Sequence, residues 1–522
     1  MDKQNGQIDG IRPEQFRFVQ DDQRIYDKKF ETKPIGYFMD AWMRFKKNKS
    51  SVVAFVIIVI IILFAVLTPL LSPMRVSDVD GFYSNVRPKL AIFEDSGFWD
   101  GGTNMTVNLR RYALINGIGI GALCRGQDGT ATWQEGLESE YNPIISTNEP
   151  FEGAGGDLLR DIRVDTYLMP GFLFMTLNSM EDFEAIQEWE QETGLRVLFP
   201  MIDTRSRYMS TFNQTDANFW YRHADNMDPI DADGRPMRDI ETIMEYGLVD
   251  NYLRNRDGEI QYYRMMDMSH VQVRVLYYNY YYYLNGRHPV FAFGSDGMGY
   301  DILVRMASGI LLSLALGLSV FMINFTIGAY LGALQGYYGG VLDILFQRFT
   351  EIVGSFPFII LNTLIVQHFV QRGGLSPFWG LVVAFIIAGW IGTANLVRMQ
   401  FYRFKNQEYI LAARTLGAKD GRLMFKHIFP NALGTIITSS VLAIPGVVFM
   451  EATLSFLGII NLDGPNITSL GTMLANGRAV LANTPHILFF PATVISLLMI
   501  SFNLFGNGLR DAFNPSLRGT GE

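Results

Sequence analysis

The chain contains one cysteine, Cys124, among 522 residues, so no intrachain disulfide framework exists. Its six histidines, His223, His270, His288, His368, His427 and His486, are dispersed. No paired-Cys or His-Glu-x-x-His spacing offers a metal site, and Gly-x-Ser-x-Gly is missing too. There is no Gly-x-x-x-x-Gly-Lys-Ser/Thr phosphate loop, so the chain itself is not expected to hydrolyse ATP or to carry a cofactor. Asp228-Pro-Ile-Asp231-Ala-Asp233-Gly234 hints at a calcium loop, but Pro229 and Ile240 would occupy the first and twelfth EF-hand positions; it reads as a solvated acidic turn. Charge is scarce, at 18% against 49% hydrophobic residues. No nucleic-acid partner is expected.

The apolar residues come in blocks. Segment 51–71 carries no charge and is long enough to cross a hydrocarbon core of about 30 Å as a helix. About fifty polar residues precede it, which argues for a retained membrane helix over a signal peptide. Further runs cover 302–334, 349–370, 376–397, 432–460 and 486–506. Gly309, Gly317, Gly328 and Gly332 suit close helix packing in lipid. The expected fold is mainly α: a polytopic protein with six transmembrane helices, embedded in the lipid bilayer.

The net charge of −8 is an average over two unlike parts. Residues 74–290 hold 19 Lys and Arg against 33 Asp and Glu, a net −14, whereas the remainder holds 24 against 18, a net +6. Residues 1–50 carry 11 Lys and Arg, and the loop 398–430 carries seven. The positive-inside rule therefore places both termini and that loop in the cytoplasm and the long acidic segment outside. The expected organisation is a tail with an interfacial helix over 1–50, the first span over 51–73, and an extracytoplasmic insertion domain over 74–290. A membrane core with five further spans follows over 291–515, then a short tail over 516–522. The insertion has mixed periodicity and is expected to be α+β. Within it, Asp182 to Thr193 reads as helix and Val271–Tyr280 as strand; the tyrosines of 277–283 offer a contact surface for a partner or substrate, but an interfacial belt or a strand packed on the domain core is the favoured reading.

The loop 398–430 is basic and amphipathic. Tyr409 to Leu416 should form a short helix, started near Glu408 and stopped at Gly417, with a second helical stretch ended by Pro430. Ala412 and Ala413 permit close approach of another protein, and Arg414, Lys419, Arg422 and Lys426 supply a basic face. Lipid binding is the plain alternative for such a loop. Leu411-Ala412-Ala413, Gly417 and His427-Ile428-Phe429-Pro430-Asn431 resemble the cytoplasmic loop with which ATP-binding cassette (ABC) importer permeases grip their ATPases. Leu411 replaces the usual Glu, and His427 and Phe429 replace aliphatics. Four other stretches resemble the oligopeptide/dipeptide (OppC/DppC-type) branch of that family. They are Arg44-Phe-Lys-Lys-Asn-Lys49; Gly294-Ser-Asp296-Gly-Met-Gly299-Tyr300-Asp301 with Arg305; Gly336-Tyr-Tyr-Gly-Gly340 with Asp343 and Arg348-Phe-Thr-Glu351; and Glu451-Ala-Thr-Leu-Ser-Phe-Leu-Gly458 with Asn503–Asp511. In the second, Tyr300 stands where Arg is usual. The resemblance spans about 37–73 and 292–515 and omits the insertion.

The resemblance implies a type I importer permease fold in a bacterial cytoplasmic membrane. It also implies a second homologous permease, two cytoplasmic ABC ATPases that bind ATP and Mg, and an extracytoplasmic peptide-binding protein. The ATPase-coupling residues would be Glu408, Tyr409, Leu411, Ala412, Ala413, Arg414, Gly417 and Ala418. Asn324, Asn395, Glu451 and Asn503 are polar residues in apolar runs, candidates for the translocation path or for structural hydrogen bonding; for Glu451 the structural role is favoured. A membrane-anchored receptor or adhesion protein acting through its external domain is the alternative reading of the chain.

Overall fold

The computed structural model describes residues 37–93, 96–123, 139–153, 155–202, 217–218 and 252–513. Cys124, the acidic turn 228–234 and both terminal tails lie outside these residues. Helix α1 (Tyr37–Lys47) ends in Arg44, Lys46 and Lys47, where the helix dipole favours cations. Asn48 then caps α2 (Lys49–Leu71) by accepting the Ser51 amide. Among the described residues five helices are each long and apolar enough to cross a bilayer, and a bent pair makes a sixth candidate if its two halves form one broken span. The spans are α2; α6 (Ile302–Tyr338); the bent pair α7 (Gly340–Gly354) and α8 (Phe358–Ile365); α9 (Pro377–Phe404); the run formed by α11 (Phe429–Val441) and α12 (Ala443–Phe456); and α14 (His486–Phe513). A short helix α13 (Leu470–Ala479) precedes the last.

Helix α6 is the centre of this bundle. Its 37 residues reach about 55 Å, more than a hydrocarbon core requires. Gly309 lies against Ser469 and Leu470 at the start of α13, and Gly317 against Ile444 of α12. Gly328, Gly332 and Gly336 all face α9; a Cβ on Gly328 would lie 2.7 Å from the Trp390 carbonyl oxygen. The glycines let backbones approach where lipid would otherwise compete equally well for an apolar surface.

Two sequence expectations need correction in this part. The run 349–370 is not one straight helix: α7 and the segment from Phe358 are bent by 75°. Pro357 has no N–H to continue the ladder and disfavours helical geometry at Phe356. The second concerns Pro430, which does not end a helical stretch. It sits in the first turn of α11, and the backbone runs helically into it through a π turn, Leu423–Ile428. Wider i→i+5 pairing accommodates the missing N–H without a break.

Among its described residues the insertion holds two four-stranded antiparallel sheets. The first has β4 (Leu158–Asp165) between β1 (Gly102–Asn108) and β2 (Ile144–Thr147), with β3 (Phe151–Glu152) also on β4, and α3 (Leu109–Leu123) packs on it. The second has β8 (Val271–Leu276) between β5 (Phe172–Leu177) and β6 (Leu198–Phe199), with β7 (Tyr263–Met265) also on β8. Helix α4 (Met180–Thr193) carries a Ser179–Asp182 capping box and a left-handed Gly194 stop. The strand read over Val271–Tyr280 is shorter than expected: it ends at Leu276, and Tyr277–Asn285 is helix α5. Tyr277, Tyr280 and Tyr281 are buried with Tyr83, Tyr167 and Phe291, so the tyrosines are core, and burial raises the Tyr83 and Tyr167 phenols well above their ordinary value.

The insertion is bolted to the membrane helices at one end of the bundle. Backbone bonds join Asp80 to Gly299, Asn85 to Asp296 and Lys89 to Phe291. Arg87 donates to the Asn483 carbonyl and lies 3.4 Å from His486 Nδ1, at the start of α14. Asp301 caps α6 through the Leu303 amide (2.8 Å), and buried Arg305 pairs with Asp463 while Tyr300 stacks on its guanidinium at 4.1 Å. Tyr300, unusual for the motif, thus acts as an aromatic cover for that cation.

Gly332→Leu is expected to destabilise the α6–α9 contact by about 1–3 kcal/mol through overpacking. Gly392→Ala on α9, where a Cβ meets nothing within 4 Å, should not destabilise and, by helix propensity, is expected to stabilise by up to about 1 kcal/mol. Thermal unfolding of the purified membrane protein measures both.

Candidate functional site

At the end of the bundle opposite the insertion, α6 stops at Gly339 and α9 at Lys405. Asp343, in the first turn of α7, accepts a two-pronged pair from Arg398 (2.5 and 2.7 Å) and the Tyr402 hydroxyl (2.8 Å). Lys405 donates to the Gly336 carbonyl at 3.0 Å. Burial holds the Lys405 ammonium below its ordinary range, opposed by Asp343. These bonds fix the ends of three helices, and residues 398–404, read in the sequence as the start of the loop, continue α9 instead.

Helix α10 (Glu408–Thr415) follows. Glu408 occupies its first turn, where a carboxylate complements the helix dipole. Its stop is a Schellman motif: Ala418 N–H donates to Ala413 O (3.1 Å) and Gly417 N–H to Arg414 O (3.0 Å). Gly417 has φ +85°, a left-handed conformation that a side chain makes costly. The chain then reverses into the single turn Asp420–Arg422 and the π turn.

Only one side of α10 faces the protein. Ile410 is fully buried with Phe401, Leu423, Met424 and Ile428, and Ala413 packs at the edge of that cluster. The Tyr337 hydroxyl donates to Asp420 (2.5 Å) and accepts from Arg414 (3.3 Å), tying the loop to the end of α6. The opposite side is uncovered: Glu408, Tyr409, Leu411, Ala412 and Leu416 are exposed, Leu416 at 88%. Lys419, Arg422 and Lys426 are exposed around it.

The eight loop residues singled out in the sequence therefore divide. Glu408, Tyr409, Leu411, Ala412 and Arg414 lie on the exposed side; Ala413 and Ala418 are half-buried and, with Gly417, shape the turn. Leu416 was not singled out. The signal available for it was a large apolar residue directly before a helix-stopping glycine, a position a Schellman motif leaves open to solvent.

The four polar span residues are scattered. Glu451 is fully buried and accepts hydroxyl bonds from Ser313 (3.2 Å), Ser455 (3.0 Å) and Ser469 (2.6 Å), joining α6, α12 and the start of α13. Asn324 reaches the Phe385 carbonyl at 3.4 Å between α6 and α9. Asn503 is exposed and bonds back to Met499 O, and Asn395 is exposed. No cluster of three or more His, Cys, Asp or Glu able to hold a metal occurs among the described residues.

Gly417→Ala is expected to cost about 1–2 kcal/mol locally, the penalty for an L-residue in the left-handed region. Nothing lies within 4 Å of the added methyl, so strain alone acts. Hydrogen exchange should speed up across 408–418 with the spans unaffected.

Comparison with known proteins bears on this arrangement. Residues 324–519 match the family model described as "Binding-protein-dependent transport system inner membrane component", and residues 36–88 match "N-terminal TM domain of oligopeptide transport permease C". The oligopeptide transport system permease protein OppC of Bacillus subtilis is 41% identical over 226 residues, 43% of this chain and 72% of the relative. The dipeptide transport system permease protein DppC of the same organism is 38% identical over 227 residues, 43% of this chain and 69% of the relative. A solved structure of the MetNI methionine ABC transporter is 18% identical, covers 40% of this chain and 96% of its own, and superposes with a TM-score of 0.34, too loose to carry an inference. Identity at this level over most of the relatives' length places the chain in a family: it belongs to the OppC/DppC-type permeases of binding-protein-dependent transport systems.

Proposed function

We propose that this chain is one transmembrane half of an ATP-driven importer of oligopeptides or dipeptides, and that α10 with its Gly417 turn is the surface its ATPases push. The observation that carries the reading is the split character of α10. Its inner side is locked to α6 and α11 through Ile410, Ala413 and Tyr337, while Tyr409, Leu411, Ala412 and Leu416 are uncovered. An exposed apolar patch rimmed by charge is the form of a protein-binding site, and a rigid cap transmits displacement into the helices behind it.

In this reading the loop end is cytoplasmic and the insertion is outside, as the basic residues of 1–50 and 398–430 favour. Two ATPases, carrying the ATP and Mg, engage the loop of this chain and that of a second, homologous permease. Closure of the ATPases on ATP shifts the helices between states open to either side, each favoured by its own contacts. The translocation path runs between the two permeases. Glu451, sealed by three serine hydroxyls, is assigned to holding helices together and not to touching substrate. An external binding protein delivers the peptide, and the insertion is its docking platform.

Leu416→Asp should remove an apolar anchor worth about 2 kcal/mol, weakening ATPase association roughly thirtyfold. Peptide uptake should fall with it, and deletion of 409–417 should abolish uptake, while the binding protein still captures ligand. Unchanged uptake in both variants excludes the loop as the coupling element. Removal of residues 80–285 is expected to preserve copurification of the ATPases and to abolish uptake; normal uptake would remove the docking role of the insertion.

A further inference from the structure

Leu90–Phe93 and Ser96–Asp100 form a finger on the insertion, its base closed by the paired bridge residues Lys89 and Asp100. Trp99 fixes it. The indole N–H donates to the Ala292 carbonyl, and Leu90 N–H donates to Trp99 O at 2.9 Å. Trp99 holds φ +59°, a left-handed conformation seldom adopted by a side-chain-bearing residue, so the surroundings over-determine its place. Its ring lies 5.7 Å from Phe490 and 6.2 Å from Phe293, which are themselves stacked at 4.2 Å.

Phe490 is the fifth residue of α14, about 6 Å along the axis from the start of a membrane span. The finger is therefore held at the depth where that span leaves the hydrocarbon. What it displays there is apolar: Ile92 is 90% exposed and Phe98 61%, beside Phe489 of α14 at 61%. Residues 91–99 contain no Lys or Arg and two carboxylates, Glu94 and Asp95, so attraction to anionic groups does not account for the display, and the contact rests on the apolar side chains on either side of that pair. Where the insertion rejoins the first span, a cleft of about 410 Å3 is lined by Phe64, Leu67, Leu71, Val290 and Leu303, with Arg287 among them. Asp301 lines the cleft as well, so its apolar walls suit an acyl chain while its charges do not select a phosphate.

We infer that the insertion is seated in the lipid leaflet at its end of the bundle, through the finger tipped by Ile92 and Phe98. The occupant of this surface is the bilayer, because the exposed residues continue the apolar flank of α14 at its interfacial turn, where aromatic side chains are favoured. The insertion then does not sway on its connections; membrane and helix ends together set its orientation. This rests on the membrane-spanning character of α14 and not on the choice of substrate or on which side is outside.

The test places single cysteines at Ile92 or Phe98 in the full chain carrying Cys124→Ser, labelled with a small environment-sensitive fluorophore. The protein is reconstituted in phosphatidylcholine nanodiscs with whatever subunits it is extracted with. Interfacial side chains sit about 5–10 Å into the headgroup boundary, so emission at both sites should drop at least about twofold with lipid bearing a shallow doxyl group and resist aqueous iodide. A label at Met268, fully exposed at the tip of the β7–β8 hairpin, supplies the aqueous reference. Labels at 92 and 98 that respond to iodide and not to doxyl lipid overturn the proposal. Labels shielded from both also overturn it, because another protein then covers the finger. Loss of uptake in the loop variants would leave these readouts untouched, so the two readings fail separately.

Discussion

Inside a bilayer, lipid tails offer a helix as good an apolar neighbour as another helix does, so association depends on backbone approach and on hydrogen bonds that lipid cannot make. Helix α6 meets both conditions. Gly328, Gly332 and Gly336 admit α9, Gly317 admits α12, and Gly309 admits the start of α13. Ser313 on the same helix contributes to the hydroxyl cage around Glu451, and Asn324 reaches across to Phe385. Helices α9, α12 and α2 pack directly on this rod, and α14 is placed through α2, α11 and α13.

The rod also connects the two ends of the molecule. At one end, Asp301 caps it and Arg305 grips Asp463, beside the backbone pairs that hold the insertion. At the other, Gly336 accepts Lys405, and Tyr337 holds both Asp420 and Arg414 of the loop. In the proposed coupling, a displacement of α10 reaches the helix on which the insertion stands through these bonds. The ion pair of Asp343 with Arg398 adds α7 to the same joint.

The membrane core and the loop were largely legible from the chain. Charge-free runs of sufficient length must be helices in lipid because no water is present to satisfy an open backbone. Gly417 marked the end of α10 because few other residues accept φ +85°. Less was legible where local signals have two outcomes. Pro357 breaks its helix and Pro430 does not, since a preceding π turn absorbs the second and nothing absorbs the first. The alternation of Val271–Leu276 runs into tyrosines that would suit a strand equally well; packing against Tyr83 and Phe291 makes them helix and core.

By itself the sequence determined that the core is a set of apolar helices, the family, the separation of a basic part from an acidic insertion, and the helix–glycine turn of the loop. These follow from length, charge and steric limits that act residue by residue. Only the tertiary structure decided which side of α10 is open, that Leu416 stands out from it, that Glu451 is caged by serines, and that the finger at Ile92 and Phe98 lies level with the first turn of α14. Exposure and depth are properties of what packs around a residue, and those neighbours include groups remote in the chain, such as Ser313 for Glu451 and Phe490 for Trp99.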